Sequence, residues 1–191
     1  MLDFSPITDQ KQTMGEFAAT VSKDDLYATT NGITDQMLAL LEGAEDADVV
    51  FVPDDPAAND PGASEEERNI AWTFGHIVVH TTAGVEEGAM LALSLARGVE
   101  PKERSRYETH WTAITTVEQV RQRLQESRRM ALSMLDAWPD APHYDVTQTP
   151  IPRFGPMNAI ARYLLGAMHA SGHLAQLTEA MRQAKAARAG A

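Results

Sequence analysis

Cysteine is absent from the 191-residue chain, and with it go a disulfide framework, a thiolate zinc cage, an iron–sulfur cluster and a cysteine nucleophile. Any bound metal therefore has to rest on histidine and carboxylate. Positive charge is scarce: 16 Lys and Arg stand against 27 Asp and Glu, a net charge of −11. A phosphate-binding face needs cations, so this balance argues against nucleic acid as a partner and against a polybasic membrane anchor. Long apolar runs are missing too, none approaching the roughly 20 residues that span a bilayer. The first residues, Met1-Leu2-Asp3-Phe4-Ser5-Pro6, have neither a basic start nor an apolar core and do not read as a signal peptide. The expectation is a soluble, cytoplasmic protein with no membrane partner. Strand-like alternation and internal repeats are likewise lacking.

What is present is helical patterning over one core's worth of chain, read as a single domain over 1–191. Thr13 with Glu16 marks a short lead-in helix. Ser22 caps a first main helix in which Leu26, Ile33, Met37, Leu40 and Leu41 recur at helical spacing until Gly43. From Glu45 to Glu67 nine carboxylates occur without one Lys or Arg. With Pro53, Pro56 and Pro61 this reads as a solvated loop over 44–63, apart from the apolar run Val49–Val52, an extended piece laid over the helices. A calcium loop is disfavoured, because its alternating ligands and tight glycine turn are missing.

Ser64 and Glu67 have capping-box spacing and predict the start of a second helix running to Gly98, apolar on several faces and therefore buried on several. Gly75, Gly84 and Gly88 within it each cost about 1 kcal/mol of helix propensity, which points to close backbone packing. Thr115 and Glu118 repeat the cap spacing before a third helix with Val117, Val120, Leu124, Ala131, Met134 and Leu135 inward, stopped by Trp138-Pro139. The fourth is predicted from Pro156 or Asn158 to about Ala187, with Lys185 and Arg188 suiting the negative pole of its dipole. The fold class is all-α, a four-helix bundle. Its connections exceed the usual two to eight residues or so, which leaves a simple up-down-up-down order open.

Six histidines occur, and four of them form two pairs at i, i+4, His76/His80 and His169/His173. That spacing stacks two imidazoles on one helix face, where they can chelate one ion. Two such pairs on buried helices exceed what a chance arrangement of six supplies, although hydrogen-bonded core histidines would read the same way. Ala170 follows His169 where a metalloprotease HExxH motif needs its glutamate. The Glu-x-x-His pairs of a ferritin-like di-metal centre are also missing. What remains is a mononuclear site with two histidines from helix four, one from helix two and an open fourth position, suited to zinc, with nickel or another divalent ion as the alternative. His110 and His143 have no partner at ligand spacing and read as surface residues.

The run Trp72-Thr73-Phe74-Gly75-His76-Ile77-Val78-Val79-His80 resembles the GWTxGHxxxH segment of the N-terminal domain of mycothiol-dependent maleylpyruvate isomerase. His169-x-x-x-His173-Leu174-x-Gln176 resembles the helix-four motif of the wider DinB-like family of metalloenzymes, and the resemblance extends in outline over 22–187. It implies an up-down-down-up bundle, members that form homodimers, and activities of thiol-dependent transferases or isomerases using low-molecular-weight thiols. It also implies that the helix-two ligand is the histidine eight residues after the tryptophan. That is His80, giving a metal set of His80, His169 and His173 with His76 a turn away as a spare ligand, a supporting donor or a core residue.

The leading reading is a metal-dependent enzyme in which a cofactor thiol attacks a small electrophilic substrate. Zinc would hold such a thiol, with a free pKa of about 8.5, as the nucleophilic thiolate. The alternatives are a hydrolase in which the metal activates water and a non-catalytic metal-binding bundle. Gln176 is a candidate to orient a ligand imidazole, and one of Glu86 and Glu87 is expected to face the site. Arg153 and Arg162 could meet an anionic ligand but are read as surface residues. Neither the lead segment 1–21 nor the acidic loop matches the family, and both are expected to shape a pocket or a dimer face.

Overall fold

Four of the five long helices start at a side chain that ties down a free amide. The computed structural model describes residues 1–59, 65–102 and 109–190, and within them every regular element is helical. Two short helices lead in, α1 (Ser5–Thr8) and α2 (Met14–Ala18). At α2 the Glu16 amide donates to the Thr13 hydroxyl at 3.2 Å and the Thr13 amide to the Glu16 carboxylate at 2.7 Å, a complete capping box. Phe4, Ile7, Met14 and Phe17 are buried, so this segment belongs to the core.

Ser22 and Asp25 form the same reciprocal cap on α3 (Lys23–Ala39), which turns Leu26, Ile33 and Met37 inward. Of the apolar run expected to be extended, Val49 instead closes a short helix, α4 (Asp46–Val49), and is fully buried, while 50–52 follow outside any regular element. Asp48 is the reason: its carboxylate accepts from the Glu45 amide at 2.8 Å and from Arg188 at 3.2 Å, which fixes the turn against the far end of the chain. Arg188 and Lys185 thus do not serve their own helix end. They donate to the carbonyls of Gly43, Leu40 and Glu42, tying the last helix to the end of α3.

The cap expected at Ser64 lies outside the described residues, and 65–69 form turns. α5 (Phe74–Ala96) begins at Thr73, whose hydroxyl accepts from the His76 amide at 3.2 Å. It packs on α4, α6, α7 and α8, as an all-round apolar helix must. Gly75 allows the approach to a short turn at Trp111–Ala113: a Cβ there would lie 2.8 Å from the Ile114 carbonyl oxygen.

α6 (Val117–Asp136) is capped one residue later than its spacing suggests. Thr116 is the cap, and the Gln119 side chain closes the box by accepting from the Thr116 amide at 3.0 Å and the Thr115 amide at 2.8 Å. The proline-rich segment that follows is pinned by paired backbone bonds between Gln148 and Met157.

Asn158 then caps α7 (Ala159–Gly172), and α8 (Leu174–Ala189) follows. The single long helix expected here is broken at His173, whose amide bonds the carbonyl of Ala170, three residues back. The break follows Ser171-Gly172, the kind of pair at which helices kink. α5 and α7 run antiparallel, His80 meeting His169 at one end of their contact and Glu87 meeting Arg162 at the other.

Candidate metal centre

Three helical segments deliver one imidazole each to the same point. His80 comes from the second turn of α5, His169 from the last turn of α7, and His173 from the break before α8. The Nε2 atoms of His80 and His169 are 2.9 Å apart, those of His169 and His173 3.3 Å, and one ring nitrogen from each residue lies within 4.8 Å of both others. Imidazole nitrogens about 2.0–2.1 Å from a shared tetrahedral ion stand roughly 3.3 Å apart, a spacing that the His80–His169 and His169–His173 pairs, at 2.9 and 3.3 Å, approach. Half-buried, the three keep one side toward the adjoining cavities.

Side chains around the cluster fix how the rings face. His173 Nδ1 lies 2.8 Å from Gln176 Oε1. The amide oxygen only accepts, so Nδ1 carries the proton and Nε2 is left with its lone pair toward the other two rings. Trp72 forms a wall over the cluster, with its ring 4.6 Å from that of His80 and 5.8 Å from that of His173. His169 owes its place to a missing side chain: a Cβ on Gly84 would stand 2.8 Å from its Nδ1, and one on Gly166 only 2.7 Å from the Gly84 carbonyl oxygen. Of the three glycines expected to mark close packing, Gly84 and Gly88 mark the α5–α7 crossing that brings the histidines together.

His76 is elsewhere. Its ring is stacked between Trp72, at 4.5 Å, and Trp111, at 5.2 Å and nearly parallel. Of the remaining histidines, His110 is exposed beside Thr112 and Glu67, and His143 is exposed beside Asp145.

Both segments that fell outside the family pattern line cavities at the cluster. A cavity of about 290 Å³ brings Asp55 and Asn59 of the acidic loop to His80, His173 and Gln176. A larger one, about 780 Å³, brings Lys11, Thr13 and Glu16 of the lead-in, with Arg153 and Met168, to His169 and His173. The Glu16 carboxyl in that wall is held below its ordinary pKa by the bonds from Thr13. Arg153 lies over the Phe154 ring at 4.5 Å.

Arg162 departs from the surface reading. Its side chain is 6% exposed, and Nη2 lies 3.8 Å from the equally buried Glu87 carboxylate, both lining a third cavity, of about 230 Å³, that reaches His169. Of the two glutamates, then, Glu87 faces the α5–α7 seam, while Glu86 is bonded at 2.9 Å to Arg123. A signal for the pair was present in the numbering: Glu87 is seven residues after His80 and Arg162 seven before His169, a two-turn interval that keeps each on its helix's histidine-bearing face.

The profile of the DinB superfamily matches residues 30–177, three quarters of the chain, and spans all three histidines. This chain belongs to the DinB superfamily. Comparisons with curated proteins and with solved structures give no match. The matched DinB segment starts beyond the lead-in, so the wall of the larger cavity formed by residues 7–16 lies outside it. No helix among the described residues is long and apolar enough to cross a membrane.

Proposed function

We propose that His80, His169 and His173 hold one divalent metal ion, zinc in the first place and nickel in the second, in a thiol-dependent transferase or isomerase acting on a small electrophile. The observation that carries this reading is the convergence of three imidazole nitrogens within 4.8 Å, with His173 turned lone pair inward by Gln176. When bound, the ion supplies positive charge that keeps a thiol ionised near neutral pH.

The chain does the rest. His80, His169 and His173 would hold the ion through donors that bring no negative charge, so the site would favour an anionic partner such as a thiolate. Gln176 keeps His173 in the ligating tautomer. Trp72 covers His80 and His173, and the close crossing of α5 and α7 at Gly84 and Gly166 holds His169 in place. Two cavities open on it from different sides, which gives a thiol and its electrophile separate approaches, with His173 common to both. The accompanying fold reading is a single-domain, up-down-down-up four-helix bundle made of α3, α5, α6 and the broken α7–α8. The protein would act in the cytoplasm, as a monomer or homodimer.

Elemental analysis of tag-free protein loaded with zinc or nickel tests the site. About one ion per chain is expected, kept in His76→Ala and lost in His80→Ala and His173→Ala. No bound ion in any folded variant would leave the histidines as core residues. Loaded protein given a thiol and an electrophile such as a chlorodinitroarene then distinguishes thiol-dependent turnover from thiol-independent hydrolysis.

A further inference from the structure

The seam between α5 and α7 carries two polar pairs, and only His80/His169 has so far been given work. Two turns away, about 10 Å along the helices, Glu87 and Arg162 face each other across the same seam, beyond the crossing of Gly84 and Gly166. Both side chains are 6% exposed. A buried ion pair is weak evidence of a stabilising role, since apolar residues of similar size fill such places at least as well. This pair also lines a cavity. Gln148 lines it too, its Nε2 donating to the Pro101 carbonyl at 3.1 Å while its Oε1 is buried with no hydrogen-bond partner among the described residues. Leu91 and Ile151 form an apolar wall, and the cavity shares Ile151, Leu165 and His169 with the larger one at the histidine cluster.

We propose that Arg162, Glu87 and Gln148 form a binding pocket for an α-amino-acid head group, on a ligand whose body runs along the seam to the three histidines. This deepens the functional reading above and rests on it for the ligand's far end. A zwitterion matches the pocket charge for charge. Arg162 presents a planar fork of N–H donors, the geometry a carboxylate takes. Glu87 and the Gln148 carbonyl are acceptors suited to an ammonium group. A simple anion would leave Glu87 as a buried like charge, and a simple cation would do the same with Arg162, whereas the zwitterion adds no net charge to a buried site. Among small thiols the layout selects a γ-glutamyl thiol. Seven bonds separate its glutamyl α-carbon from sulfur, roughly 9 Å when extended, close to the two-turn interval.

The test uses γ-glutamylalanine, which has the head group but no sulfur, titrated calorimetrically into metal-free full-length protein. The head-group site is thereby read independently of whether metal binds. Saturable binding is expected, weakened roughly ten- to hundredfold for glutarylalanine, which lacks the ammonium, and for the α-amide, which lacks the carboxylate. Gln148→Ala should weaken it less, and Arg162→Met/Glu87→Met, which removes both charges together, should abolish it. Absence of saturable binding to wild type overturns the proposal. So does equal binding of the three compounds, or a folded double variant that binds as wild type does. If the double variant does not fold, the discrimination among the compounds by wild type and Gln148→Ala decides the matter.

Discussion

Gly84 and Gln176 act on the histidines from opposite ends, one by the volume it leaves and the other by the bond it accepts. A methyl group at position 84 would meet His169 Nδ1 at 2.8 Å, closer than carbon and nitrogen approach without a shift. The neighbouring backbone cannot give way readily, because Gly166 already lies against the Gly84 carbonyl. Gly84→Ala is expected to displace the His169 ring, to destabilise the fold by about 1–3 kcal/mol and to weaken zinc binding, checked by chemical unfolding and by competition with a chromophoric chelator. Gln176→Leu has a different signature. It keeps volume and helix but removes the acceptor at 2.8 Å from His173 Nδ1, so zinc affinity should fall about ten- to hundredfold with stability nearly unchanged. Equal affinity in Gln176→Leu and wild type would mean that the bond does not orient the ligand.

At the scale of elements, caps set the phase of each helix and so the direction its histidines face. The His76 amide donates to the Thr73 hydroxyl, starting α5 one turn before His76 and two before His80. Thr73→Ala should cost about 1 kcal/mol in chemical unfolding and fray the turn that carries Trp72 and His76, read as a change in tryptophan fluorescence. The helices were legible in the sequence wherever a cap and an apolar stripe agreed. Ser22, Thr13 with Glu16, and Asn158 occupy the cap positions expected of them. Misreadings came where a tertiary contact chose between local options. Val49 looks like strand residue and is helical because Asp48 is held from Arg188, 140 residues away. Thr115 with Glu118 and Thr116 with Gln119 have the same box spacing, and the structure uses the second. The two histidine pairs were visible from spacing, and close packing of α5 from its glycines, without the partner helix. The walls of the site were legible only as segments: the lead-in and the acidic loop read as pocket or dimer face, but nothing local links Lys11 or Asp55 to a particular histidine more than 20 residues away.

For the molecule as a whole, α3 is tied to its neighbours by two phenols, which gives the fold a dependence on alkaline pH. Tyr27 donates to the Asp136 carboxylate at the end of α6, and burial together with that carboxylate pushes its hydroxyl up to about 12. Tyr163 of α7 lies 2.8 Å from the hydroxyl of Thr30, which itself donates to the Leu26 carbonyl, so Tyr163 is the donor; burial raises it likewise to about 12. Both folded values lie above the unfolded one of 10.0. Below pH 10 each phenol is protonated in both states and contributes no slope. Between about pH 10 and 12 the unfolded chain gives up protons that the folded chain retains, so stability falls as pH rises through that window. Unfolding midpoints taken from pH 8 to 12 should therefore drop more steeply above pH 10 in wild type than in Tyr27→Phe/Tyr163→Phe. At pH 8 the double variant should be less stable by about 1 kcal/mol per lost bond, so the two curves converge as pH rises. Parallel curves would mean that the phenols titrate alike in both states and that α3 is held to α6 and α7 by its apolar face and the Asp35–Arg128 pair instead.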